Sequence, residues 1–445
     1  MVNKLLAIPL LAGLAAGWKN DGPANANHLF NAVHAVMRHP ELAQFPNGVS
    51  FFLASVPQGT RFYHGTGHPE PIPGLQWVAF EPEHALNFAR MARGGPPGGA
   101  AGGKEGAGTQ QPLIDGGDNG GEERYGYLHT YVTAKELRLL YIDGMSAGPG
   151  GSPQSQDRIL FNDTINNDFR GGPRVEGSLG GPAPDQQRAR LGCQMASETW
   201  GGRIDGILRT EGDFEIIMCD FENSLDIVRV VQTKPRQRTR SLEESGSKFG
   251  KRGFTARYDD LRGHQAVIDF EHMVSAFSYD IDLFPNNATR PMLKDVPRAS
   301  LDPIKRDLDA MILSESPARD VFNWQAVTDN IIDRYAARLR TYADGTSFES
   351  KDALYENLEA FFAPFLDYAS FPDDPAAVIA SCQAQLIAPT APVDGAVAQA
   401  VRHVLFRVCS TFTDVLVQDL ELDAALDRFE ELVAYLGWTE LTDSN

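Results

Sequence analysis

Between residues 49 and 232 the apolar positions come in short bursts, and beyond about residue 257 they recur every three or four residues. The short runs predict strands at "VSFFLASV" (49–56), "YGYLHTYVTA" (125–134), "LRLLYIDGM" (137–145), "IDGILRTEG" (204–212), "DFEIIMCDF" (213–221) and "LDIVRVVQ" (225–232). Two helices belong to the same half. "HLFNAVHAVMRH" (28–39) places Leu29, Phe30, Val33, Val36 and Met37 at helical spacing, and "QQRARLGCQMASETWGG" (186–202) reads as a second. His28, His34 and His39 lack the i, i+4 spacing that would put a ligand pair on one helix face, so no metal site is expected there. In the second half, 301–314, 323–343, 350–369, 394–420 and 422–438 are helical by period, with Asp302 and Ser350 as caps.

Two stretches interrupt the pattern. Residues 94–122 are Gly-rich and nearly devoid of apolar side chains, a loop inserted into a domain; no strand–turn–helix context makes its glycines a phosphate cradle. A second Gly/Pro-rich connection covers 146–187. The polar, basic stretch 232–256, with "KPRQRTR" at 234–240, separates the two periodicities. The expected organisation is α+β: residues 27–231 as a strand-rich domain, a linker at 232–256, and an all-α domain at 257–445.

Composition narrows the setting. The 445 residues carry a formal net charge of −19, which argues against a broad nucleic-acid surface but not against a pocket for one dinucleotide. Lys4, the short apolar run 5–17 and the small residues after it, at "LAAG" or at Ala24-Asn25-Ala26, form a secretory signal pattern over 1–26. That run is too short to span a bilayer, so no membrane association is expected. Secretion agrees with the glycosylation sequons at Asn162 and Asn287 and with four cysteines. No close Cys pair suggests zinc; Cys193 with Cys219 and Cys382 with Cys409 is the pairing with the shortest loops, free thiols being the alternative.

Three segments carry candidate chemistry: "RFYHGTG" (61–67), "GLQWVAFEPEHALNFAR" (74–90) and "EGDFEIIMCDFENSLDIVRVV" (211–231). Together they resemble the ADP-ribosyltransferase superfamily, in its poly-ADP-ribose polymerase and diphtheria-toxin branch. That branch has a strand ending in His-Gly-Thr or His-Gly-Ser, two tyrosines eleven residues apart around an alanine, and a late strand with a glutamate and a following aspartate. Here His64-Gly65-Thr66 matches the first element, Trp77 and Phe88 stand where the tyrosines would be, with Ala79, and Glu215 and Asp220 match the acids. Both tyrosines are replaced. The resemblance implies a split β-sheet domain, NAD as substrate together with an acceptor, and no metal.

It also implies roles. Glu215 would stabilise the cationic ribose formed as the nicotinamide bond breaks. Asp213, in step with Glu211 and Glu215 on one strand face, would position an acceptor or a water. Trp77 and Phe88 would stack on nicotinamide, His64 would bind a ribose hydroxyl, and Gly65 would offer its backbone to the nicotinamide amide beside Thr66. Arg61 is the alternative anchor, as in the cholera-toxin-like branch. The expected function is a secreted mono-ADP-ribosyltransferase or NAD glycohydrolase. The competing readings are a non-catalytic binding module of the same fold and a carbohydrate hydrolase using Glu81, Glu83, Asp205 and Glu215; no G-x-S-x-G pattern supports a nucleophilic hydrolase. Against each role stands an ordinary structural one: His64 idle at a strand end, Trp77 and Phe88 as core, Glu211 and Asp213 as solvated turn residues.

Overall fold

The computed structural model describes residues 23–38, 43–45, 47–89, 125–144, 155–162, 164–165, 184–211, 213–233, 265–314 and 321–441. The signal pattern up to residue 22, the Gly-rich insert 94–122 and the basic run 234–240 lie outside them. The chain forms two compact units, residues 35–321 and residues 1–34 with 322–445. Among the described residues no helix is long and apolar enough to cross a membrane.

The first unit is built on one sheet. Its strands are β1 (Asn47–Val56), β2 (Arg61–Thr66), β3 (Gln76–Ala79), β4 (Tyr127–Thr133), β5 (Leu137–Gly144), β6 (Gly206–Glu211), β7 (Asp213–Met218), β8 (Leu225–Gln232) and β9 (Val267–Ser275). They lie in the order β8-β4-β2-β3-β7-β6-β5-β1-β9. Every neighbouring pair is antiparallel except β5 and β6. The expected two sheets are therefore joined by a continuous ladder. It is thinnest between β2 and β3, where a single pair, Tyr63 with Ala79, is in register. All the anticipated strands are present. β9 is an addition to them: it follows the basic segment, in the region whose later period is helical.

The apolar strands reflect burial on both faces. In β1 seven consecutive residues from Gly48 to Ala54 are buried, which is why its sequence does not alternate. Phe62, Phe80 and Phe214 pack edge-to-face on one side of the sheet, with ring centroids 4.9 Å apart for the first pair and 6.5 Å for the second. Short helices α2 (Pro82–Leu86), α3 (Ser155–Phe161), α4 (Pro184–Gln194) and α5 (Phe221–Ser224) and the longer α6 (Arg298–Leu313) complete the unit. The helix expected at 301–314 thus belongs with the sheet, beyond the boundary that the change of period suggested.

The second unit is all helical: α7 (Trp324–Ala343), α8 (Lys351–Phe362), α9 (Pro375–Leu386), α10 (Ala396–Gln418) and α11 (Leu422–Leu436). Of these, α9 was not anticipated. Its N-cap Asp374 accepts a hydrogen bond from the Ala377 N–H. Phe412 of α10 lies at the centre of the core, stacked on Phe362 at 5.0 Å and edge-on to Phe429 at 5.1 Å.

The N-terminal helix, α1 (Ala26–His34), also belongs to this unit rather than to the strands that follow it. The reason is local. Asn27 and Asn31 donate through Nδ2 to the carbonyls of Tyr435 and Leu436 at 2.6 and 2.8 Å, filling acceptors left open at the end of α11. Phe30 stacks on Trp438 at 5.7 Å, and the His34 ring lies 2.9 Å from Asp329 and 3.2 Å from Glu440.

Both disulfides join the cysteines with the shortest loops, Cys193 to Cys219 and Cys382 to Cys409.

Candidate functional site

Strand register decides which candidates share a face. Arg209 pairs with Glu215 across the β6–β7 hairpin, Glu215 with Ala79 of β3, and Ala79 with Tyr63 of β2. Paired residues point the same way and alternate residues return to that side. Trp77, Asp213, Glu215 and Arg209 therefore project from one face. His64, one step out of phase with Tyr63, projects from the other, among Phe62, His129 and Phe221. The roles implied for His64, Trp77 and Glu215 would need all three on one face; instead Trp77 and Glu215 lie together, and His64 projects from the opposite face of the sheet.

The Glu215 side chain is 1% exposed and is held by charge. Arg209 donates through Nε and Nη2 to the same oxygen, Oε1, at 2.9 and 2.7 Å. The other edge of the guanidinium meets Asp185 of α4, with Nη1 to Oδ1 at 2.6 Å and Nη2 to Oδ2 at 2.9 Å. Burial pushes the Asp185 carboxyl up, but the Arg209 charge and hydrogen bonds outweigh it and hold that carboxyl below its ordinary range. The series continues outward with Arg188 and Asp157, whose Nε and Oδ2 are 2.8 Å apart.

α2 covers this face. His84, near its middle, reaches Asp213 through Nδ1 at 3.2 Å, and its Nε2 is 3.7 Å from Glu215 Oε2. Burial opposes charging the ring, yet the contact with Asp213 and the negative charges of Asp213 and Glu215 prevail and push its pKa up to about 9. His84 is therefore an imidazolium at neutral pH.

A folded-state pKa raised above the ordinary 6.5 contributes stability that is complete below that value and is lost as the pH climbs through about 9. The contribution is roughly 3 kcal/mol. In urea melts, His84→Gln is expected to lie below wild type at about pH 6 and to converge with it by about pH 10. A gap independent of pH would assign His84 a packing role only.

Gly65 is required by the same helix. A Cβ there would come 1.9 Å from the Ala85 carbonyl oxygen and 2.7 Å from the Ala89 nitrogen. The close approach that Gly65 permits is made by α2 itself. Phe88, just past α2, is partly exposed, with its ring 5.3 Å from that of His84.

The remaining candidates are placed elsewhere. His64 Nδ1 lies 2.7 Å from the Trp77 carbonyl, so it carries the ring proton and Nε2 presents a lone pair. That Nε2 is buried and has no hydrogen-bond partner among the described residues. Burial lowers the ring's pKa to about 4, keeping it neutral. The Thr66 hydroxyl accepts from the His68 N–H at 3.3 Å, a local turn bond. Arg61 is exposed at the start of β2. Asp220 caps α5, accepting from Asn223 N at 3.3 Å and Nδ2 at 2.8 Å. Asp205 is bonded to Lys135 Nζ at 2.6 Å and the Arg138 N–H at 2.8 Å.

Three residues of the cluster were not singled out from sequence: Arg209, His84 and Asp185. Arg209 was detectable as a charge directly after the apolar "GIL" run, opposite the acidic "DFE" when the two segments pair. His84 sits between the two aromatic markers. Asp185 had no local signal, because α4 is brought to the sheet by tertiary packing.

Comparison with known proteins finds likeness over part of the chain and names no chemistry. Residues 21–124 match the family described as YPL277C N-terminal domain. The Saccharomyces cerevisiae protein described as uncharacterized protein YPL277C is 26% identical over 229 residues, which cover 48% of this chain and 44% of that protein. Another from the same yeast, uncharacterized protein YOR389W, is 25% identical over 228 residues, covering 48% of this chain and 34% of that one. The matches thus span less than half the length of these relatives. No solved structure matches.

Proposed function

We propose that the chain is a secreted NAD-consuming enzyme of the ADP-ribosyltransferase type, a mono-ADP-ribosyltransferase or NAD glycohydrolase, with Glu215 as its catalytic carboxylate. One observation carries the reading: Glu215 Oε2 faces the His84 ring at 3.7 Å, where the neighbouring acids favour the charged imidazolium, on the face that also bears Trp77. Cleavage of the nicotinamide–ribose bond develops positive charge on the sugar, and a carboxylate already arranged around a cation stabilises that charge with little reorganisation. NAD would enter by displacing α2, its ribose taking the place of His84 and its nicotinamide stacking on Trp77 or Phe88. Asp213, released from His84, would orient the acceptor or water. Secretion is supported by the two disulfides and by the exposed positions of Asn162 and Asn287.

The test is release of nicotinamide from NAD. Glu215→Gln keeps the shape and loses the charge, so turnover is expected to fall by about two to three orders of magnitude with NAD binding retained. His64→Ala separates the two faces: if His64 acts only from behind the sheet, NAD affinity stays within about twofold of wild type. Wild-type protein that neither binds NAD nor releases nicotinamide would discard the catalytic reading. A second reading, a non-catalytic module, is favoured by the nearly complete burial of Glu215 in ion pairs; NAD binding without turnover would establish it.

A further inference from the structure

We propose that Arg209 and Asp185 are positioning residues for Glu215, a clamp that fixes one carboxylate oxygen so that the other is presented to the ribose. The inference rests on the reading of Glu215 given above. Arg209 does not bind the two carboxylate oxygens side by side, as a simple fork-to-fork pair would. Its Nε and Nη2 converge on Oε1 at 2.9 and 2.7 Å, while Oε2 is turned toward His84. The guanidinium is in turn gripped from its far edge by both oxygens of Asp185. A planar group held on two edges has one orientation, and through it Glu215 has one as well.

The geometry of this clamp differs from that of a purely structural ion pair. The Arg209 and Glu215 side chains are 3% and 1% exposed, so neither is screened by water. One guanidinium is shared between two carboxylates from different elements, β7 and α4, which leaves Glu215 only partly neutralised and able to respond to a further cation. Asp185 lies in the first turn of α4, where the helix dipole favours a negative charge. The clamp is therefore anchored on the sheet at one end and on a helix terminus at the other.

The experiment compares nicotinamide release by wild type, Asp185→Asn, Arg209→Lys and Glu215→Gln, with melting temperatures measured in parallel. Asp185→Asn leaves the Arg209–Glu215 pair in place and removes the charged grip. Its kcat is expected to fall about tenfold to a hundredfold with KM for NAD within about twofold, since orientation rather than binding is lost. Arg209→Lys keeps the charge but not the fork, and its kcat should lie between those of wild type and Glu215→Gln. Wild-type kcat in both variants, or losses that vanish when rates are expressed per folded molecule, would overturn the clamp while Glu215→Gln upholds the catalytic reading. A silent wild type, or an unimpaired Glu215→Gln, overturns that reading itself and the clamp with it.

Discussion

Arg209→Met is expected to destabilise the sheet unit by about 3–5 kcal/mol, the cost of leaving a buried charge without its partner. The substitution keeps much of the side-chain volume, so packing changes little. What changes is electrostatic. Glu215 Oε1 loses both donors, and Asp185 loses a guanidinium bonded at 2.6 and 2.9 Å. Glu215 would then retain the His84 imidazolium at 3.7 Å as its nearby cation among the described residues, too distant for a direct hydrogen bond. Adding Glu215→Gln to Arg209→Met should recover part of the loss, because removing both charges of a buried pair is cheaper than removing one. Denaturant unfolding checks both statements. A cost under about 1 kcal/mol for the single variant would mean that water reaches this network and that its burial has been overvalued.

The strands of the first unit were legible because each is a short apolar run closed by turn residues, and burial on both faces enriches such runs. The β6–β7 hairpin went further: the short turn in "ILRTEGDFEII" sets Arg209 opposite Glu215, a pairing available from sequence to anyone who folds the hairpin about its centre. The face assignment of His64 was not available. It depends on the Tyr63–Ala79 pair between strands separated by an irregular stretch, and a shift of one residue there would turn His64 to the other side. The unit boundaries were also hidden. Periodicity reports the type of an element, not the partner on which it packs. The N-terminal helix joins the α-helical unit through Asn27, Asn31 and Phe30, and no local signal in its amphipathic pattern names α11 as the destination.

Reduction of the disulfides is expected to have effects of similar size, about 3–4 kcal/mol for each bridge from the entropy of the loop it closes. The cysteines are 26 residues apart in one pair and 27 in the other. Each bridge lies within one compact unit, so the consequences separate. Cys382–Cys409 joins α9 to α10, and both sulfur-bearing residues are fully buried, so its loss should lower hydrogen-exchange protection in those helices. Cys193–Cys219 acts closer to the candidate site. Cys193 is in the last turn of α4 and Cys219 directly follows β7, so the bridge fastens the helix carrying Asp185 to the strand carrying Glu215. Cys193→Ala with Cys219→Ala should therefore weaken protection in β6 and β7 and also loosen the Asp185 grip on Arg209. At temperatures where the double variant is still folded, turnover should fall in proportion to that seen for Asp185→Asn, and the two changes combined should cost less than their sum. If the effects on turnover simply add, the disulfide stabilises the unit without setting the orientation of Glu215.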